Sequence, residues 1–360
     1  LFPYTTLFRS ITKTYDFGYN GAVFVAVGDG GSSGQQFAIS SDGINWTTPS
    51  TGIVAQPFGS SGIARSIAWG KNIWVVVGQT SAPAPATRIT YDLNVWTTVS
   101  PAGISGTAMR TVCFIGTVFL IGGDKGAGGN TAMYSPNGVT WTSSGVGSVL
   151  STTCNCVAYT NRKSDIRIFP PVWLVGSGPG YTLSLLKNGA VIQPTAYVNE
   201  TTYDVEFNGP RWIAVGSNFS SSVVSALSYS DDNGRTWTKV SPSFAPTGNQ
   251  IQTVYWDGTQ FLFGVYGSIL GYSFAYSTSG IDSYTTGTFD DTSFDTYAIL
   301  RFGITSWMFG GTSNSGNVVY YGSLGGPYTG YAISGYSSVN RLYKVLDKIF
   351  VCGSDSSSPP

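Results

Sequence analysis

The sequence predicts an all-β chain of repeated four-stranded antiparallel units. Three observations carry that reading: many turn residues with few helix formers, a recurring aromatic–apolar–glycine string, and an acidic turn ahead of a tryptophan that is written several times. The 360 residues include 47 glycines and are 42% hydrophobic and 14% aromatic, yet hold just two glutamates, Glu200 and Glu206. Such a composition favours strands joined by many turns. A chain of this length and apolar content buries a sizeable core.

The repeat is the strongest signal. An aromatic residue, two or three apolar residues and a glycine recur as FVAVG (24–28), WVVVG (74–78), FLIGG (119–123) and WLVG (173–176). The string returns as WIAVG (212–216), FLFG (261–264), WMFGG (307–311) and FVCG (350–353). Spacings between the leading aromatics run from 39 residues (Trp173 to Trp212) to 54 (Phe119 to Trp173). That is close to the ~40–50 residues of a four-stranded propeller blade. Ahead of each string lies a short strand with a tight turn, as in SIAWGKN (66–72) or VYWDGTQ (254–260). After it come a Gly/Ser-rich loop, a third strand such as RITY (88–91) or ALSYS (226–230), a turn, and a strand led by tryptophan such as WTKV (237–240). Alternating strands with turn signals every 8–12 residues complete the unit.

The turn between the third and fourth strands is clearest at Ser230-Asp231-Asp232-Asn233-Gly234-Arg235-Thr236-Trp237. It matches S-x-D-x-G-x-x-W and resembles the Asp-box repeat of sialidases, sortilin-type receptors and related β-propellers. Ser40 to Trp46 is a version one residue shorter, and the third unit has Asn137 in place of the aspartate. TYDLNVW (90–96) and STSGIDSY (277–284) are more worn. The resemblance implies a β-propeller and structural roles for Asp42, Trp46, Asp232, Gly234 and Trp237: a carboxylate accepts the N–H groups of its own turn, glycine takes the positive φ, and tryptophan packs back.

Seven units are complete, and the eighth supplies two strands (339–353) before SDSSSPP. The expectation is an all-β propeller of four-stranded antiparallel blades, with eight blades preferred over seven. Residues 11–353 read as one propeller domain and 354–360 as a polar tail or truncation point. Leu1–Ser10, LFPYTTLFRS, translates the end of a common short-read sequencing adapter and reads as a non-native scar on a metagenomic sequence.

Balanced charge, 18 basic against 18 acidic residues, gives no footprint for nucleic acid, and no apolar run reaches the ~18–20 residues of a membrane span. Cys154 and Cys156 flank one residue, but without histidine they read as buried thiols, so neither metal nor cofactor is expected. Absence of histidine also removes Ser/His and Cys/His triads. The sialidase Arg-Ile-Pro signature belongs on the first inner strand, which here reads KTYDFGYNG (13–21) without arginine. The nearest likeness, IRIFP (166–170), lies in the fourth unit. With two glutamates, a glycosidase carboxylate pair would need Asp in nearly every role. No catalytic residue is expected.

Aligning the inner strands on Phe17, Ile67, Val112, Val157, Val205, Val254, Leu300 and Tyr343 places Tyr15, Arg65, Arg110, Asn155, Tyr203, Gln252, Ala298 and Arg341 two positions earlier. Arg65, Arg110 and Arg341, with Tyr15 and Tyr203, form the candidate ligand site: guanidiniums grip a carboxylate or sulfate while tyrosines stack. One position after the apolar residue, Glu206 opposite Arg301 or Lys344 forms a candidate polar pair near the channel. Sequons at Asn45, Asn199 and Asn218 fit a secreted setting.

The preferred function is a non-catalytic recognition propeller that binds a glycan or protein on an external surface. SDGINW-type repeats resemble those of structural proteins in large DNA viruses and their algal hosts, which makes an extracellular or virion surface the expected location. The alternatives are a protein-assembly scaffold resembling the Asp-box photosystem assembly factors, and a divergent sialidase-like glycoside hydrolase.

Overall fold

The protein is described from a computed structural model covering residues 11–31, 34–48, 56–82, 84–101, 104, 106–125, 129–143, 153–159, 173–177, 184–187, 190–192, 201–217, 227–245, 250–267, 271–333 and 336–354. The string 166–170, the sequons Asn199 and Asn218, and the side chains of Asn155, Cys156, Val157 and Ala158 lie outside the described residues.

Twenty-nine strands form among the described residues, nearly all in consecutive antiparallel sheets. The first strands are β1 (Lys13–Tyr19), β2 (Phe24–Asp29) and β3 (Phe37–Ser40). The first four-stranded sheet is β4 (Ile63–Gly70), β5 (Ile73–Gln79), β6 (Pro85–Thr90) and β7 (Thr97–Val99). The second is β8 (Met109–Phe114), β9 (Phe119–Gly123), β10 (Ala132–Ser135) and β11 (Thr142–Ser143). The third is β12 (Cys154–Tyr159), β13 (Trp173–Ser177), β14 (Ser184–Lys187) and β15 (Ala190–Ile192). The fourth is β16 (Thr201–Phe207), β17 (Trp212–Ser217), β18 (Leu227–Ser230) and β19 (Thr238–Val240). The fifth is β20 (Gln250–Trp256), β21 (Phe261–Tyr266), β22 (Phe274–Ser277) and β23 (Thr285–Gly287). The sixth is β24 (Asp295–Arg301), β25 (Trp307–Thr312), β26 (Val319–Gly322) and β27 (Tyr328–Tyr331), and the chain ends in β28 (Ser338–Val345) and β29 (Lys348–Ser354).

The fold is therefore an all-β propeller with six four-stranded blades, which corrects the expectation of seven or eight. The miscount has a physical cause at the two ends of the chain. In the first unit the fourth strand shrinks to one antiparallel bridge, Ile39 to Thr47. The last unit contributes only β28 and β29, and β29 pairs with β1 through Lys13 and Ser354. Both end units thus merge into a five-stranded sheet in the order β28-β29-β1-β2-β3.

The chain divides into two compact units, Leu1–Val157 with Val345–Pro360, and Ala158–Lys344. In the first, Val75 and Val77 of β5 pack with Val112, Phe119 and Ile121 of the next sheet. In the second, Ile213 and Val215 pack with Val254, Phe261 and Phe263. The leading aromatics Phe24, Trp74, Phe119, Trp212, Phe261 and Trp307 are all buried. Each such side chain contributes about 1.5–3 kcal/mol by leaving water.

A second device links neighbouring sheets. Asp16 of β1 accepts from the Ser66 hydroxyl at 2.6 Å and the Ile67 N–H at 3.1 Å, both on β4. In the second unit Asp204 of β16 repeats the arrangement, accepting from the Thr253 hydroxyl at 2.8 Å and the Val254 N–H at 3.0 Å on β20.

The acidic turns are built as the sequence expects. Asp42 accepts from the N–H groups of Ile44 at 2.8 Å and Asn45 at 2.7 Å, which hold its carboxyl well below the ordinary range. The Asn45 amide is itself committed to Asp42. Asp232 accepts from the Thr236 N–H and hydroxyl, Gly234 takes φ +81°, and the Trp237 indole N–H donates to the Gly234 carbonyl at 3.0 Å. Trp46 packs edge-on against Phe17 and Phe350. Ser40, Thr90, Ser135, Ser230 and Ser277 end the third strands, and each hydroxyl accepts an N–H from the following turn.

Two stability predictions follow from these carboxylates, with opposite pH slopes. Asp204→Ala removes the acceptor of a strand N–H and should cost about 1–3 kcal/mol in urea unfolding. Burial raises the Asp204 carboxyl, so its contribution is full below the unfolded value near about 3.9 and is lost as pH rises through the folded one. Asp204→Asn should remove that downward slope. At Asp232 burial also acts upward, but the hydrogen bonds from Thr236 outweigh it and the carboxyl lies below the ordinary range. Its contribution is present above about pH 4 and lost as pH falls through the folded value, and Asp232→Ala should cost about 1 kcal/mol. Unfolding free energy measured against pH for the wild type and the Asp204→Asn and Asp232→Asn variants checks both signs.

Candidate functional site

Six inner hairpins, β1/β2, β4/β5, β8/β9, β16/β17, β20/β21 and β24/β25, carry a β-bulge at the same step. The register shifts between Thr14 and Asp16, Ala64 and Ser66, Met109 and Thr111, Thr202 and Asp204, Ile251 and Thr253, and Thr296 and Ala298. The bulged residues are Tyr15, Arg65, Arg110, Tyr203, Gln252 and Tyr297. A bulge re-aims a side chain and crowds the facing strand. That crowding explains the glycine of the recurring string: a Cβ on Gly28, Gly78 or Gly311 would overlap the carbonyl oxygen of Lys13, Ile63 or Asp295.

In these six hairpins the bulge row coincides with the row read from the sequence except in the seventh unit, where Tyr297 replaces Ala298. The apolar residue aligned there is Ile299 rather than Leu300. The sequence does carry a signal for this register, since Thr-Tyr stands at 14–15, 202–203 and 296–297.

In the first unit the Arg65 guanidinium lies over the Tyr15 ring, 5.7 Å from its centroid, and donates to Gln79 Oε1 at 2.9 Å. Its Nε is buried without a hydrogen-bond partner. Burial lowers the Arg65 pKa from its ordinary value, and burial raises that of the Tyr15 hydroxyl. Arg110 pairs through Nε with Asp124, which also accepts from the hydroxyls of Thr107 and Thr153. Burial alone would raise the Asp124 carboxyl, but the hydrogen bonds from Arg110 and Thr107 outweigh it and hold it low. Arg110 thus arrives already neutralised, whereas Arg65 makes no ion pair among the described residues. A half-buried cation of this kind is a receptor for an anionic group.

Arg341 belongs to the second unit, where it donates to the Tyr343 hydroxyl at 3.2 Å and its charge acts on Asp204. The Tyr203 hydroxyl donates to Gln250 Oε1 at 3.1 Å and lies 3.2 Å from the Ser217 hydroxyl. Sequence reasoning passed over Gln250, Tyr266 and Asp124, because no local pattern distinguishes them from surface residues, and over Tyr297 because of the slipped register.

The residues proposed for the centre are placed by register. Glu206 accepts from the N–H groups of Phe207 at 2.9 Å and Trp256 at 3.4 Å. Arg301 stands opposite Trp307, one row beyond Glu206. It takes the place that an aromatic holds in the other hairpins, where Tyr19/Phe24, Trp69/Trp74, Phe114/Phe119, Phe207/Trp212 and Trp256/Phe261 stack at 4.2–4.9 Å. Its guanidinium covers the Trp307 ring at 5.3 Å and donates to the carbonyls of Asp257, Gly303 and Ile304. Lys344 donates to the Phe302 carbonyl at 2.9 Å.

No protein-family model and no curated protein matches the chain, so the Asp-box family expected from the repeats has no family match. Solved structures do match. YCF48 bound to D1 peptide aligns with a TM-score of 0.53 at 14% identity, over 92% of this chain and 100% of that one. YCF48 from Cyanidioschyzon merolae gives 0.54 at 12% identity, over 96% and 94%. The WD40 β-propeller domain of Doa1 gives 0.50 at 10% identity, over 95% and 90%. At such identities the likeness establishes the β-propeller fold, and the ligand must be argued from the side chains.

Proposed function

We propose that the protein is a non-catalytic interaction propeller that holds a segment of another protein through the bulged inner-strand residues of the unit that carries Tyr15, Arg65 and Arg110. The carrying observation is the Arg65 guanidinium, half-buried on Tyr15 and without an ion pair among the described residues. Such a group receives a carboxylate, either an acidic side chain or a peptide C-terminus. Likeness to a propeller solved with a peptide bound supports a peptide as ligand. This reading takes up the scaffold alternative in preference to a glycan-binding virion protein, which the comparisons do not support. Arg110 and Tyr15 set the local charge and packing around Arg65, and Arg341, which the sequence alignment groups with these arginines, is replaced together with them in the test.

The test compares the full chain with an Arg65→Ala/Arg110→Ala/Arg341→Ala variant on a peptide array carrying acidic and free C-terminal carboxylate sequences, beside a sulfated and sialylated glycan array. The expected outcome is peptide binding that the variant weakens by about tenfold or more, with no glycan binding. Glycan binding that the variant loses, with no peptide bound, would overturn the proposal.

A further inference from the structure

The second unit carries a different part of the bulge row. Tyr203, Gln252 and Tyr297 are the bulged residues of β16, β20 and β24, and side chains between them join into one surface. Gln250 Oε1 accepts from both the Tyr203 hydroxyl at 3.1 Å and Gln252 Nε2 at 2.9 Å. Those two bonds orient both amides. Gln250 Nε2 remains a donor and Gln252 Oε1 an acceptor, neither bonded to another described residue. Opposite Gln250 on β21 stands Tyr266, 37% exposed, whose ring stacks on Tyr297 at 6.2 Å and 25°. Neither tyrosine hydroxyl has a hydrogen bond to a described residue. Asp295 borders the pair and accepts the Gly267 N–H at 2.8 Å.

We infer that this surface is a binding site for an uncharged peptide segment rich in proline or aromatic residues. The inference rests on the reading of the protein as a peptide binder and gives it a site beyond the arginines. An oriented amide donor beside an oriented amide acceptor matches the C=O and N–H of a peptide unit. Two stacked tyrosines give rigid apolar area that loses little entropy on binding, which suits flat proline and aromatic side chains. The Asp295 carboxylate beside them disfavours an acidic ligand. The bulges hold the row in place before any ligand arrives, so little ordering is needed.

The experiment selects phage-displayed random peptides on the immobilised full chain. Survivors are then measured on Tyr266→Ala/Tyr297→Ala, Tyr266→Phe/Tyr297→Phe, Gln252→Ala and Arg65→Ala/Arg110→Ala, with thermal melts as the folding control. Expected are neutral peptides rich in proline or aromatic residues that weaken by about tenfold or more on the alanine pair. Binding should weaken several-fold on Gln252→Ala, which keeps the rings, and be retained on the phenylalanine and arginine pairs. Survivors indifferent to the tyrosine and glutamine changes, or lost only on the arginine pair, would overturn this inference and leave the peptide reading standing. No survivors at all, or glycan binding that the tyrosine pair abolishes, would overturn both.

Discussion

One backbone irregularity governs the arrangement: the bulge shared by the inner strands β1, β4, β8, β16, β20 and β24. An extra residue in one strand brings the carbonyl two positions before it so close to the facing strand that a side chain there would collide, and glycine occupies the facing position at Gly28, Gly78 and Gly311. The same extra residue has no direct partner, so its side chain is released from the alternation that buries its neighbours. Core packing and the presentation of polar side chains are therefore set by one event. The buried aromatic string and the exposed tyrosines and arginines are two sides of the same hairpin.

Within that frame the two units differ in charge. The first presents Arg65 and Arg110 around Tyr15, with Asp124 quenching one of the two cations. The second presents tyrosines and glutamines beside Asp295. Bulge positions tolerate this variety because the strand backbone and the glycine hold the geometry whatever side chain is carried. Asp16 and Asp204 serve a contrasting purpose one residue later, where the chain has returned to register. They clip one sheet to the next through a hydroxyl and a strand N–H, and so keep successive inner strands aligned.

The repeat and the acidic turns were legible because each is written within a few consecutive residues. Ser230 to Trp237 contains the donors and acceptors of its own turn. Blade number was not legible, because it depends on whether strands far apart in the chain meet, and the pairing of Lys13 with Ser354 leaves no local trace. The seventh-unit register slipped because Ala298, Ile299 and Leu300 are all apolar and all buried, so hydrophobicity cannot choose among them. The Thr-Tyr pair shared by the first, fifth and seventh units chooses correctly, through a buried threonine preceding the bulge. Arg301 was misplaced by the same slip, and its true neighbour is Trp307. The links made by Asp16 and Asp204 were hidden for another reason: a carboxylate on a strand reads as solvent-facing until its partner on the next sheet is known.

Phe350 of β29 stacks on Phe17 at 4.1 Å and lies 5.2 Å from Phe24, with Trp46 edge-on to it. The aromatic core of the opening strands is therefore completed by a residue some three hundred positions later. A ribosome delivers Phe17, Phe24 and Trp46 some three hundred residues before their covering ring. Through that interval the intervening sheets can fold on local contacts, while the opening hairpin keeps an unsheltered aromatic face. The β1–β2 hairpin therefore waits for its cover while the intervening sheets are made, and in that interval its aromatic face is open to a chaperone or to aggregation.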